Sequence, residues 1–155
     1  MNVAIWGING KMGQTLLEEA KKFDDVNVVF GFDKTPNDNG VKLYNDISQI
    51  DEKVDVIIDF SNYKATNELL NFAQNSNTPV VICSTGHTKK ELEEIKKASK
   101  KIAILLSPNM SYGANFMLKF AKEHSKEFVG KGFSVDVSET HHNAKLDRPS
   151  GTALS

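Results

Sequence analysis

Cysteine, proline and tryptophan are scarce in this chain of 155 residues, which holds one Cys, four Pro and one Trp. The lone Cys83 cannot form an internal disulfide. Preceded by Val80, Val81 and Ile82, it reads as a buried thiol in a reducing compartment rather than a catalytic nucleophile. So few Pro, with ten Gly, exclude collagen-like and low-complexity chains. Charge of one sign is also lacking: 19 Lys+Arg face 20 Asp+Glu, a net charge of −1. No global field gathers nucleic acid or an anionic membrane, so neither is an expected partner. No apolar run approaches the ~18 residues of a membrane span. The N-terminus, MNVAIWGING, shows no basic n-region or small-residue cleavage site, and the expected location is the cytoplasm. What the chain does have is 39% hydrophobic and 25% charged residues, the balance of a globular protein. Its length suits one ordinary domain, or a domain and a piece of another, and such a domain buries roughly 68–70% of its unfolded surface without a covalent staple.

Short apolar runs alternate with helical patterns. Strands are expected at Asn2–Trp6, Val26–Phe32, Val54–Phe60, Pro79–Ser84, Ile102–Ser107 and Phe133–Thr140, each rich in Val, Ile or Phe and bounded by turn residues. Between them, Met12, Leu16, Leu17, Ala20 and Phe23 share one helical stripe. So do Ala65, Leu69, Phe72 and Ala73, then Leu92 with Ile95, then Phe116, Met117, Phe120 and Ala121. VDVIIDF and PVVIC are continuous hydrophobic runs, as strands buried on both faces require. The βαβαβ order predicts an α/β fold with a doubly wound parallel sheet. Lys34–Asn45 carries Pro, Asn and Gly and is read as an irregular connection. The run at 89–101 mixes Lys with Glu, and Glu93–Lys97 pairing at i,i+4 makes it a solvated helix face. The βα rhythm dissolves after Val135. The expected organisation is one α/β domain over 1–130 and the start of a second over 131–155.

Gly7, Gly10 and Gly13 form a G-x-x-G-x-x-G array between a predicted strand and a predicted helix. Gly7 suits the tight turn, the stretch to Gly10 lets backbone N–H groups approach a pyrophosphate, and Gly13 lets helix and strand close up. The commoner G-x-G-x-x-G spacing is absent, with Asn9 and Met12 at its later glycine positions. A tight βα turn without a ligand is the alternative, which the complete strand–turn–helix context disfavours. About 20 residues on, Asp33 ends the second strand where such folds place an acid on the adenosine ribose. Asp33 favours NADH, whereas Lys34 beside it can neutralise the 2′-phosphate of NADPH, so the choice stays open. Asp59-Phe60-Ser61, Ser84-Thr85-Gly86 and Ser107-Pro108-Asn109-Met110 leave small polar residues at further strand ends, as groove candidates or plain helix caps.

The tail, Ser138 to Thr152, gathers His141, His142, Lys145, Asp147, Arg148, Ser150 and Thr152. His141 and His142 point to opposite faces if extended, and no cysteine lies nearby, so a metal site is not expected. His141 can pass a proton near neutrality. Lys145 can hold an anion or protonate a developing nitrogen anion. Pro149-Ser150-Gly151-Thr152 reads as a turn into a helix whose free N–H groups cradle a carboxylate. A solvated loop and a plain N-cap are the structural alternatives.

VAIWGINGKMG at the start, DFS at 59–61, STG at 84–86, SPNMSYGANFM at 107–117 and ETHHNAKLDRPSGTA at 139–153 together resemble the 4-hydroxy-tetrahydrodipicolinate reductase family, also called dihydrodipicolinate reductase. The resemblance implies an NAD(P)H-dependent oxidoreductase of lysine and diaminopimelate biosynthesis, reducing 4-hydroxy-tetrahydrodipicolinate to tetrahydrodipicolinate. It implies that His141 and Lys145 are catalytic and that His142, Gly151 and Thr152 bind a dicarboxylate substrate. For the cofactor it implies Gly7, Ile8, Asn9, Gly10, Lys11, Met12, Asp33, Lys34, Cys83, Ser84, Thr85, Ser107, Pro108, Asn109 and Met110, with no metal. Cys83 stands where the family usually has glycine, and Arg148 where it usually has alanine. Full-length members continue past the signature through a substrate domain whose sheet builds a homotetramer, so the chain reads as truncated at Ser155. A non-catalytic nucleotide-binding fragment or sensor, and another Rossmann dehydrogenase of small acids, are the rival readings.

Overall fold

Asn2–Trp6 form β1, and its pleat divides the interior in two. Ala4 and Trp6 enter one apolar cluster, while Val3 and Ile5 enter another on the opposite face. The computed structural model describes residues 1–38, 40–107, 109–141, 149, 150 and 153. After β1 come α1 (Lys11–Ala20), β2 (Asn27–Phe32), β3 (Lys42–Tyr44), β4 (Val56–Asp59), α2 (Thr66–Ser76), β5 (Val80–Ile82), α3 (Lys89–Ala98), β6 (Ile104–Leu106) and α4 (Tyr112–Gly130). The six strands form one sheet in the order β3-β2-β1-β4-β5-β6, every pair parallel. That order reverses direction beside β1, so a crevice opens at the carboxyl ends of β1 and β4. Trp6 lies opposite Phe32 and Asp59 in the ladders, and Asp59 opposite Ile82, which brings four strand ends to one edge.

One face of the sheet is covered by α2 and α3, whose Leu69, Leu70, Ala73, Ile95 and Ala98 join Phe30, Ile57 and Ile82. Leu17 of α1 covers Val3, Ile5 and Ile8 on the other. Trp6 is fully buried, stacked on Phe32 at 4.5 Å and tilted against Phe72 at 5.3 Å. Burial of each such side chain stabilises the fold by about 1.5–3 kcal/mol. Contacts divide the chain into two compact units, Met1–Ser107 and Pro108–Ser155, the first holding the sheet with α1–α3 and the second holding α4.

Four expectations change. The supposedly irregular Lys34–Asn45 contains β3, because Phe30, Gly31 and Phe32 of β2 supply a ladder that three residues alone cannot announce. Phe133–Thr140 is not a strand: no partner pairs with it among the described residues, and Phe133 and Val137 are exposed. Lys97 pairs with Glu94 at 2.8 Å, not with Glu93. Phe23 lies beyond the end of α1 and Met12 at its start, and both are exposed and leave the buried stripe, as Phe116, Met117 and Phe120 do on α4.

Candidate functional site

At the switch point, a cavity of about 590 Å³ lies between the Gly7–Gly10 turn, the end of β2 and the end of β4. Gly7 adopts φ +75°, a left-handed conformation that side chains disfavour, and a Cβ there would stand 2.8 Å from Ser61 Cα. Its N–H donates to the Phe32 carbonyl at 2.8 Å. Gly13 permits close approach: a Cβ would meet the Gly7 carbonyl oxygen at 2.2 Å. Helix α1 opens on Gly10 with no side-chain cap, whereas Thr88 at the start of α3 donates its N–H to Glu91 at 2.6 Å and Ser111 caps α4. The first N–H groups of α1 therefore keep their capacity for an anion, at the positive end of the helix dipole.

Asp33 and Lys34 also line the cavity, with Lys64 and Glu68 beside them. The Asp33 carboxylate accepts the Asn9 N–H at 3.1 Å and the Thr35 N–H at 3.0 Å, one bond to each oxygen. Lone pairs remain for further donors. Lys34 stands 3.4 Å from Glu68. The remaining expected cofactor residues are placed differently. Ile8 buries its side chain against Gly31, so only its backbone is free to serve a ligand. Lys11 and Met12 are exposed at the start of α1.

Asp59, fully buried, braces the neighbouring strand ends. It accepts the Ser61 N–H at 2.9 Å, the Ser61 hydroxyl at 2.5 Å and the Ser84 hydroxyl at 2.7 Å. His87 adds a bond with Thr66 at 3.1 Å and a longer one with Ser84 at 3.4 Å. Burial lowers the His87 pKa against the opposing pull of Asp59 and Glu91. Burial first, then Asp59, pushes the Cys83 thiol up to about 11, which keeps it protonated and inert. Thr85 is exposed and Ser107 half-buried. His87, Lys64 and Glu68 went unread in the sequence. A histidine directly after Ser-Thr-Gly was the available signal for the first, and the others carry none.

In the second unit, the Asn109 side chain accepts the Ser111 N–H at 2.8 Å and Met110 is exposed. His141 Nε2 lies 3.0 Å from Glu139 Oε2. The other Glu139 oxygen accepts the Ser150 N–H at 2.7 Å, and the Ser150 hydroxyl also bonds to this carboxylate. The Ser150 side-chain and backbone donors, followed by His141, hold the Glu139 carboxyl at about 2. His142, Lys145, Asp147, Arg148, Gly151, Thr152 and Pro108 lie outside the described residues. Among the described residues no cluster of His, Cys, Asp and Glu suits a metal, and no helix is long and apolar enough to cross a membrane.

Comparison with known proteins agrees along the whole chain. The family described as "Dihydrodipicolinate reductase, N-terminus" matches residues 1–110, and "Dihydrodipicolinate reductase, C-terminus" matches residues 113–155. The 4-hydroxy-tetrahydrodipicolinate reductase of Caldanaerobacter subterraneus subsp. tengcongensis is 41% identical over 154 residues, covering 99% of this chain and 61% of the relative. That of Clostridium tetani is 37% identical over 155 residues, covering 99% and 60%. The chain thus spans about 60% of the length of these relatives. Among solved structures, the dipicolinate-bound dihydrodipicolinate reductase of Paenisporosarcina sp. TG-14 superposes with a TM-score of 0.78 at 28% identity, covering 99% of this chain and 63% of that one.

Proposed function

The chain belongs to the dihydrodipicolinate reductase family, and from that premise we propose that it serves the reduction of 4-hydroxy-tetrahydrodipicolinate to tetrahydrodipicolinate in lysine and diaminopimelate biosynthesis. The observation that carries the reading is the groove at the switch point, where the uncapped start of α1 faces the same cavity as Asp33. These residues fit a nicotinamide dinucleotide. The first N–H groups of α1 would take the pyrophosphate beside the Gly7–Gly10 turn, and Asp33 the ribose hydroxyls. When bound, that cofactor supplies the hydride.

Within the groove, Asp33 and Glu68 balance Lys34 and Lys64, and Lys34 is already turned toward Glu68. A 2′-phosphate would meet the Asp33 carboxylate while Lys34 is held by Glu68, so the finer reading is a preference for NADH over NADPH. Residues 1–130 would form the dinucleotide-binding domain, with 131–155 starting the substrate domain in the cytoplasmic enzyme. His141 would donate and accept a proton, with Lys145 a second proton donor. His142, Gly151 and Thr152 would hold the dicarboxylate, each charged hydrogen bond contributing about 1.5–3 kcal/mol. In balance, hydride and proton enter, and the substrate's hydroxyl leaves as water.

The test pairs binding with turnover. Trp6, the single tryptophan, lines the groove, so NADH binding should quench its emission. The same full chain should oxidise NADH when given freshly generated 4-hydroxy-tetrahydrodipicolinate. Quenching without oxidation would reduce the reading to a nucleotide-binding module. Absence of both would overturn it.

A further inference from the structure

We propose that Glu139 is a positioning residue that bridges the proton-transfer histidine to the carboxylate-binding turn, fixing the His141 ring with its proton on Nε2 and anchoring Ser150. The role of His141 in this statement rests on the functional reading above; the bridge itself rests on geometry. An ionised carboxylate can only accept hydrogen bonds. The 3.0 Å contact from His141 Nε2 to Glu139 Oε2 therefore places the proton on Nε2, and in the neutral ring the free lone pair falls on Nδ1. Nδ1 becomes the nitrogen that exchanges protons, while Nε2 is committed to the carboxylate.

The same carboxylate accepts both the N–H and the hydroxyl of Ser150. Ser150 is 2% exposed, and its oxygen in turn accepts the Ala153 N–H at 3.2 Å. An isolated surface ion pair would contribute little. Here, three donors converge on one carboxylate, two of them from a buried residue eleven positions along the chain. Lys145 lies in the stretch of sequence whose two ends Glu139 ties together. Orientation of the proton-transfer group and placement of the turn before Gly151 and Thr152 thus depend on a single side chain. A glutamine cannot keep the arrangement: with its one oxygen on the Ser150 N–H, its NH₂ faces His141 Nε2 and favours the ring protonated on Nδ1 instead.

The decisive experiment is ¹⁵N NMR of the His141 ring in the full chain, without cofactor or substrate, at a pH where the ring is uncharged. The expected result is a ring protonated on Nε2 with an observable Nε2–H proton, lost to solvent exchange in Glu139→Gln and Glu139→Ala. The Ser150 amide should exchange at least about tenfold faster in Glu139→Ala. A ring protonated on Nδ1 in the unsubstituted chain overturns the bridge without needing any variant, as does an Nε2–H signal indifferent to both substitutions. In turnover, the substitutions should lower kcat about 10- to 100-fold, the usual effect of losing an orienting partner, with NADH affinity by Trp6 quenching within about twofold. Full turnover with an Nδ1-protonated ring would sink the bridge and spare the functional reading. An intact Nε2–H contact in a chain without turnover would support the bridge and sink the reading.

Discussion

Replacing Gly13 by alanine sets two physical effects of opposite sign against each other. Gly13 lies in α1, where alanine should gain roughly 1 kcal/mol of helix propensity. Its added Cβ, however, would stand 2.2 Å from the Gly7 carbonyl oxygen, 2.6 Å from Ile8 Cα and 2.7 Å from the Ile8 carbonyl oxygen. All three are backbone atoms of the turn itself, so no side chain can swing away. Relief requires α1 to retreat from the turn by about 1 Å, and such overpacking costs about 1–3 kcal/mol in a dense interior. The clash should win, leaving the variant about 1–2 kcal/mol less stable out of a typical 5–15. Retreat also withdraws the first N–H groups of α1 from the groove, so NADH should bind at least about tenfold more weakly. Urea unfolding and NADH titration, both followed by Trp6 emission, read the two effects on one sample. Gly113→Ala is the control, since nothing lies within 4 Å of a Cβ there and propensity alone should act. A raised urea midpoint with unchanged NADH affinity in Gly13→Ala would refute the close-approach argument.

Other expectations follow from single side chains. Asp33→Ala removes a charge that, about 4 Å from a phosphate, is worth about 1–4 kcal/mol per unit charge, so the NADPH-to-NADH affinity ratio should rise about tenfold or more; an unchanged ratio would remove Asp33 from the ribose site. Cys83, with its thiol pushed to about 11, should resist alkylation at pH 8 in the folded chain and react quickly in urea; equal rates would contradict its burial. Glu52 is held at about 2, first by the Lys42 ammonium and then by the Tyr44 hydroxyl, against an ordinary 4.5. A depressed carboxyl stabilises the fold above its unfolded value and loses that contribution as pH falls through the folded one, so Glu52→Gln should flatten the pH dependence of the urea midpoint between about 4.5 and about 2. Parallel profiles would deny the pairing.

Legibility in the sequence followed the locality of the cause. Asn2–Trp6 and the Gly7–Gly13 array were readable because strand, turn and helix signals adjoin, and glycine reports a close approach by what it lacks. Strand β3 was not, since Lys42–Tyr44 becomes a strand through pairing with β2 rather than through its own three residues. Phe133–Thr140 shows the converse: apolar alternation describes a face, but a strand needs a neighbour. Asp33 and His141 were legible in the sequence as candidate residue types. Long-range partners stayed hidden, because Asp59 meets Ser84 across 25 positions and Glu139 meets Ser150 across 11, contacts that only folding creates. Ile8 shows that a motif position can face the core while its backbone remains at the turn.

NADH oxidation by the full chain with freshly generated 4-hydroxy-tetrahydrodipicolinate, measured beside His141→Gln, tests the proposed reaction itself. The expected result is turnover in the unsubstituted chain and a loss of at least about 100-fold in the variant, the scale of general acid–base catalysis, with NADH still quenching Trp6 equally in both. Turnover unaffected by the substitution, or lost only in proportion to NADH binding, would contradict it.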